Sequence, residues 1–417
     1  MKHILIVTYY FPPYNIIASR RPFHWAKYLS QFYKVTVLTR SWSGNEDGMR
    51  DIAIENLSSS IQQLNENLTC ISIPYKKYSQ QNQSKSLINK IKMRYRHLFG
   101  DFLDIEFVKE NFETQVLQTI KKNNPSLVIY SCNPYQFLPI AQNVYNATGV
   151  NYIIDFRDLY NWSVLRKSPT FKQWLYKTII LQRTKKWLTT ARAVITVSPP
   201  IQNILQSICK KNVQVIYNGF DEEQCKSLQN VEEDKTVFTI SYIGNINAEL
   251  NTTYFTKGLQ LFFDECKPSA VVNFIGVAKS QQQTIEPFLQ NVKYNFLGWA
   301  PHDQALQYAK QSSLLVYMGW SEYKGILSGK IFDYLGVQRT ILLTPGDEGV
   351  IEELLNKTNA GIVANSAEEV FTTLKKLYIQ WKSNGNVEYA GHVNEITNYS
   401  RQQQSIALKK LIDTILQ

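Results

Sequence analysis

The chain has 417 residues, more than one ordinary hydrophobic core organises, so two domains of roughly 150–220 residues are expected. Hydrophobic residues make up 44% and charged residues 19%, which excludes a disordered or fibrous chain. The net charge of +11 favours polyanions and leaves nucleic acid, anionic lipid headgroups and phosphorylated substrates open as partner classes.

The opening MKHILIVTYYFPP holds a short apolar run that stops at Pro12-Pro13 with no small-residue cleavage site, so it reads as a first strand and not as a signal peptide. No later apolar run reaches the ~18 residues of a membrane-spanning helix. Runs rich in β-branched and aromatic residues predict strands at Ile4–Tyr9, Lys34–Leu38, Cys70–Ile73, Leu127–Ser131, Tyr152–Asp155, Ala193–Ser198 and Val213–Tyr217. A second set follows at Val237–Ile243, Val271–Ile275, Tyr294–Leu297, Leu314–Met318, Thr340–Leu343 and Gly361–Val363. The runs are nearly continuous in apolar residues, the pattern of parallel strands covered by helices on both faces. Two such sets predict an α/β fold of two Rossmann-like, doubly wound parallel-sheet domains facing across a cleft.

The polar stretch Ser41–Leu68 reads as a variable excursion, and the charged stretch Asp221–Lys235 as the domain boundary. That division gives a first domain over 1–222, a second over 236–390, and a helical segment over 391–417. In the last helix Leu408, Leu411, Ile412 and Ile415 share one side. The five cysteines, Cys70, Cys132, Cys209, Cys225 and Cys266, form no CxxC pair and are odd in number. This argues against a disulfide framework or a structural zinc site and fits a reducing, cytoplasmic compartment.

Chemistry is expected at the carboxyl ends of the strands, where doubly wound sheets bind ligands. The turn Tyr9–Arg21 follows the first strand. Pro22, placed in the first turn of a helix, sets its start near Ser19, so that free N–H groups with Arg20 and Arg21 form either an anion site or a surface arginine pair. The turn has no glycine and is not a dinucleotide fingerprint. Asp155-Phe156-Arg157-Asp158 follows the strand Tyr152–Ile154. Asp155, Arg157 and Asp158 are candidate catalytic residues that orient sugar hydroxyls, hold a phosphate or act as a base, the alternative being an internal ion pair.

Tyr317–Gly336, YMGWSEYKGILSGKIFDYLG, joins a strand end, a glycine-bearing loop and a helix with Ser328 as N-cap and Gly336 as C-cap. Loop amides, the helix start and Lys330, a fourth candidate catalytic residue, suit a diphosphate, and Asp333 a ribose diol. Gly244, Gly276 and Gly298 end further strands, where glycine admits a ligand close to the backbone, and a base fits near Trp299 and Ala300. Two basic, aromatic stretches, Lys76–Phe99 and Arg166–Arg192, suit an anionic membrane surface or are solvated helix faces.

These segments, with VITVSPPIQNIL, VIYNGFD, ISYIGN and YNFLGWAPHDQALQYAKQSSLLVYM in order, resemble the retaining GT-B glycosyltransferases, the large group that includes bacterial capsule and O-antigen enzymes. The resemblance spans nearly the whole chain. It implies a nucleotide-sugar on the second domain, an acceptor on the first, and a last helix that crosses back. Donor contacts are then expected from Arg20, Gly244, Asn245, Gly276, Trp299, Ala300, Tyr323, Gly325, Ile326, Leu327, Ser328, Gly329, Lys330 and Asp333. Asp333 takes the place of the family's ribose-binding acid, and neither a metal nor a cofactor is expected. Two positions depart from the common pattern: Gly325 stands where the family's first glutamate falls, and Asn245 follows Gly244 where an Arg or Lys is usual, Lys257 being the first base thereafter.

The reading that follows is a metal-independent, retaining glycosyltransferase of bacterial surface polysaccharide synthesis. It moves a sugar to a glycan or lipid-diphosphate-linked acceptor, cytoplasmic or peripheral at the membrane's inner face. An epimerase or hydrolase on the same fold and a non-catalytic nucleotide or glycan-binding module are the alternatives. No recognised nucleic-acid motif supports a nucleic-acid partner.

Overall fold

The computed structural model describes residues 1–14, 16–44, 54–76, 111–158, 170–246, 250–320 and 327–417, and elements are numbered over these residues. The chain divides into two compact units, Met1–Tyr217 with Ser405–Gln417, and Asn218–Gln404.

The first unit holds β1 (His3–Thr8), β2 (Lys34–Arg40), β3 (Ser60–Asn65), β4 (Leu68–Ile73), β5 (Leu127–Cys132), β6 (Tyr152–Phe156), β7 (Ala193–Thr196) and β8 (Val213–Val215), in the order β3-β4-β2-β1-β5-β6-β7-β8. Every neighbouring pair is parallel except β3–β4. Its helices are α1 (Ile17–Leu29), α2 (Glu113–Asn123), α3 (Phe137–Thr148), α4 (Phe171–Thr189) and α5 (Pro199–Cys209). Strand alternation sends Leu5, Val7, Val128 and Tyr130 to one face, against Val116 of α2 and Ile140 of α3. Ile4, Ile6, Ile129 and Ile153 go to the other face, against Trp25 and Leu29 of α1 and against Leu408 and Ile412 of the C-terminal helix. Burying each of the last two side chains contributes about 1.5–3 kcal/mol, which is why the apolar stripe of that helix was legible.

The structure corrects two local expectations here. The excursion Ser41–Leu68 contains β3, an edge strand whose residues are all exposed. With Ile61 and Leu64 on the surface it has no core face, so hydrophobic patterning gave no signal. Helix α1 begins at Ile17, before Ser19, which puts Pro22 inside the helix and not in its first turn.

The second unit holds β9 (Phe238–Ile243), β10 (Ala270–Ile275), β11 (Tyr294–Phe296), β12 (Leu314–Met318), β13 (Ile341–Thr344) and β14 (Gly361–Val363), all parallel, in the order β11-β10-β9-β12-β13-β14. The direction of winding reverses between β9 and β12, so the loops after these two strands flank the switch point where such sheets bind ligands. The helices are α6 (Glu222–Ser227), α7 (Thr253–Cys266), α8 (Lys279–Ile285), α9 (His302–Gln311), α10 (Gly329–Val337), α11 (Val350–Thr358), α12 (Ala367–Asn384) and α13 (Val393–Thr397); α14 (Arg401–Leu416) ends the chain.

Phe238, Ile240, Tyr242, Val272 and Phe274 form the inner face with Phe255 and Phe262 of α7 and Val370 and Leu374 of α12. The intervening residues of β10 and β11 do not follow the expected cover on both faces: Asn273 is half-buried and Asn295 exposed. Asn273 and Asn295 thus place two amides on one face of this margin, beside the apolar Val271. Gly336 also differs from expectation. It lies within α10, and the cap is Gln338 in the left-handed region. A β-carbon at Gly336 would meet Cys225 Sγ at 2.6 Å and the Phe220 ring at 2.7 Å, so the glycine serves packing and not termination. Among the described residues no helix is long and apolar enough to cross a membrane.

Candidate functional site

In the second unit the strand-end glycines sit side by side. Gly244 N–H donates to Ile275 O at 2.8 Å, and Gly276 N–H to Gly298 O at 2.5 Å. At φ +123°, Gly244 occupies backbone space that side chains avoid, and a β-carbon there would stand 3.2 Å from Lys330 Nζ. Glycine therefore leaves the room into which Lys330 reaches from the first turn of α10.

Lys330 Nζ donates to the Tyr242 hydroxyl at 2.9 Å, and that hydroxyl donates to Asn245 O at 2.8 Å. The ammonium also lies 4.4 Å from the Tyr242 ring centroid and 5.4 Å from that of Tyr317. Burial among these rings pulls its pKa down to about 7, and among the described residues no carboxylate pairs with it. The hydroxyls of Tyr242 and Tyr317 are pushed upward by the same burial and stay neutral.

Ser328 is the N-cap residue of α10, as expected, but its hydroxyl meets the Tyr317 hydroxyl at 3.0 Å and caps nothing. The first amides of α10 therefore have no side-chain acceptor at the N-cap, beside a desolvated cation. Tyr334, one turn along, accepts the Ile243 N–H at 2.9 Å and ties α10 to the end of β9. Leu327 is buried, Asn245 exposed, and Gly329 half-buried.

Asp333 is engaged by a residue the sequence reading did not single out. His302, the first residue of α9, places Nε2 at 2.9 Å from Asp333 Oδ2. The pair is 15% and 20% exposed in its side chains. His302 was hidden within the APHDQ segment because no spacing rule links position 302 to 333; only the fold brings α9 to α10. Just ahead of it, Trp299 is 73% exposed and Ala300 half-buried, so the indole is free to stack on a planar group. Lys330, Asp333, Gly244, Asn245, Gly276, Trp299 and Ala300 all belong to one unit and cluster around strand ends and the helix starts that follow them. Tyr323, Gly325 and Ile326 lie outside the described residues.

In the first unit Arg20 is half-buried in the first turn of α1. Asp155 requires a correction. It is the fourth residue of β6 and wholly buried, and both its oxygens are taken: Oδ1 by Arg21 Nη2 at 3.0 Å, Oδ2 by Arg21 Nε at 3.2 Å and by Ser131 Oγ at 3.1 Å. Arg21 spends Nη1 on Ile216 O and Tyr217 O at 2.7 and 2.9 Å and stacks over Trp25. A carboxylate so enclosed holds α1 to the sheet and reaches no substrate; the expected internal ion pair exists, but with Arg21 from α1. Arg157 is half-buried, with Nη1 on Ala18 O. Asp158 is exposed, and its carbonyl accepts the Tyr135 hydroxyl at 2.9 Å. The segment Leu159–Trp162 and nearly all of the basic stretch Lys76–Phe99 lie outside the described residues.

The sequence profile of Glycosyltransferase Family 4 matches residues 18–224. The chain carries a glycosyltransferase domain. The match takes in Arg20, Asp155, Arg157 and Asp158, and it ends before Lys330. No curated protein matches in sequence. Solved structures match over the full length. Sucrose-phosphate synthase of Thermosynechococcus elongatus has a TM-score of 0.67 at 10% identity, covering 100% of this chain and 99% of its own. A glycosyltransferase of Rickettsia africae gives 0.63 at 13% identity, with 100% and 99% covered. Anabaena HepE, solved with UDP and glucose, gives 0.58 at 11% identity, with 99% and 100% covered. The glycosyltransferase domain thus sits in a chain of α/β fold with two parallel-sheet Rossmann-like domains, as in GT-B glycosyltransferases.

Proposed function

We propose that the chain transfers a sugar from a nucleoside-diphosphate sugar held by the second unit to a glycan or lipid-diphosphate-linked acceptor. The observation that carries this is Lys330, a half-buried lysine with its ammonium set among tyrosine rings and without a carboxylate partner among the described residues, beside the uncapped amides of α10 and the glycine ends of β9 and β10. A diphosphate supplies the missing negative charge, and the same groups stabilise the charge that develops on it as the glycosidic bond breaks. Asp333 takes the ribose diol and Trp299 with Ala300 the base. The Anabaena HepE structures contain UDP and UDP-glucose, which makes uridine the first nucleotide to test. The positive charge that Lys330 and the amides provide supports a metal-independent reaction. Retention of anomeric configuration and a role in bacterial surface polysaccharide rest on the resemblance of SGKIFDYLG and its companion segments. A cytoplasmic site peripheral to the inner membrane face accords with the +11 charge.

The test is a thermal-shift screen of UDP, other nucleoside diphosphates and their sugars, since a ligand bound only by the folded form raises its melting temperature. Turnover with Lys330→Ala follows. A rise with at least one sugar nucleotide, and loss of transfer in a folded Lys330→Ala protein, support the proposal; no shift with any of them rejects it. Product formed without acceptor points to an epimerase or hydrolase instead, and binding without turnover to a non-catalytic module.

A further inference from the structure

The polar margin of the second sheet opens on a cavity of about 520 Å³, within the size of small-ligand sites. It lies at the amino-terminal part of β9, β10 and β11. Their same-face residues Val237 and Thr239, Val271 and Asn273, and Lys293 and Asn295 line it, together with Tyr308 and Gln311 of α9 and the segment Glu232–Asp234. The strand-end glycines and Lys330 stand at the other, carboxyl-terminal end of the sheet, so this cavity is separate from the proposed donor site.

Glu233 is the informative residue. Its side chain is 5% exposed and Oε2 pairs with Arg339 Nη1 at 3.2 Å, yet Oε1 has no hydrogen-bond partner among the described residues. A buried carboxylate oxygen without a donor is costly, and native structures rarely keep one without a ligand, water or function to explain it. Asn295 and Asn273 add an amide pair, Nδ2 donating to Oδ1 at 3.0 Å, and each carboxamide has unused donor or acceptor capacity.

The lining also decides what kind of ligand fits. Arg339 already neutralises Glu233, and Lys293 lines the same cavity, which disfavours a cation. Glu232 and Asp234, against which the described lining residues set no cation but Lys293, disfavour a phosphate. What remains is a neutral molecule with many hydroxyls, able to exchange hydrogen bonds with the carboxamides and the Tyr308 hydroxyl, and to donate to Glu233 Oε1 once a small turn of that side chain brings the covered oxygen to the cavity. We propose that this cavity is a saccharide-binding subsite, distinct from the site of sugar transfer. The inference stands on the cavity and Glu233 and does not need the donor-site reading.

The experiment uses the full chain and a panel of neutral saccharides (glucose, galactose, N-acetylglucosamine, maltose and cellobiose), read by saturation-transfer NMR and calorimetry. Asn295→Trp, at an exposed position, fills the cavity without touching the core; Glu233→Gln tests the buried oxygen. Binding of at least one saccharide by the native chain, weakened about tenfold or more by Asn295→Trp, supports the subsite. UDP binding by Asn295→Trp, equal to that of the native chain, shows that any loss is local; where neither chain binds UDP, an unaltered melting temperature serves the same purpose. Absence of saccharide binding, or binding indifferent to Asn295→Trp, overturns the proposal. So does binding of inorganic phosphate or spermidine that Asn295→Trp abolishes, because the cavity then serves an ion.

Discussion

Arg157 donates from Nη1 to the carbonyl of Ala18, the acceptor that Pro22 leaves without a helical donor. In an α-helix the N–H of residue 22 would bond to the carbonyl of residue 18, and proline has no N–H to give. The guanidinium after β6 thus replaces a missing backbone bond in α1, and the arginine read from sequence as catalytic has a structural task in the first unit. Replacing Arg157 by Met is expected to cost about 1–3 kcal/mol in denaturant unfolding, the range for a partly buried acceptor left unpaired. In a Pro22→Ala background, where an N–H is restored, the same replacement is expected to cost less. Equal costs in the two backgrounds would mean that the two residues are not coupled.

The Arg21–Asp155 pair makes a second prediction, because each group is buried and each depends on the other. Truncating Asp155 to Ala leaves the guanidinium uncompensated in the core, and such losses run to about 3–5 kcal/mol. The variant is therefore expected to fail in stability and not in chemistry, with turnover per folded molecule close to that of the native chain. A fully stable Asp155→Ala protein with no turnover would return this carboxylate to the catalytic list.

The layout of the fold was legible because buried parallel strands announce themselves. All of the apolar runs became strands, with ends shifted by a residue or two, and among the described residues the only strand missed was β3, which buries nothing. Side-chain roles were harder to see. Lys330 and the glycines were singled out by position at strand ends, a rule of the fold class. The partners Arg21–Asp155, Arg157–Ala18 and His302–Asp333 join residues 134, 139 and 31 positions apart, and no local spacing encodes such pairs. Ser328, which holds the expected N-cap position without capping through its hydroxyl, and Gly336, which is not the cap, show a different limit. Each has the residue type of a helix cap, yet tertiary neighbours, the Tyr317 hydroxyl in one case and Cys225 with Phe220 in the other, set its use.

His302 is expected to act as a positioning residue for Asp333. If Asp333 grips the ribose diol, removing the Nε2 contact loosens the carboxylate's orientation and weakens donor binding before transfer is affected. His302→Ala should raise the donor KM about tenfold, the worth of one hydrogen bond to a charged group, with little change in kcat. His302→Gln, which keeps a donor at similar reach, should recover part of the loss. A fall in kcat at unchanged KM, or no recovery by Gln, would refute the role.

Lys330 gives a prediction in pH. Burial lowers its pKa from 10.5 to about 7, so between these values the unfolded chain holds a proton that the folded chain lacks. Stability contributed by this group therefore rises with pH through the window, and the full penalty of the buried ammonium is felt below about pH 7. Lys330→Met is expected to flatten that slope and to stabilise the unliganded protein most at neutral and lower pH. Nucleotide binding should run the other way. A diphosphate favours the charged amine, so native affinity for UDP falls as pH rises above about 7, by at most about tenfold per unit, with uptake of a proton. Calorimetry in buffers of different ionisation enthalpy measures that uptake directly. A native chain that binds UDP with the same pH dependence and proton count as Lys330→Met would show that the ammonium does not meet the diphosphate.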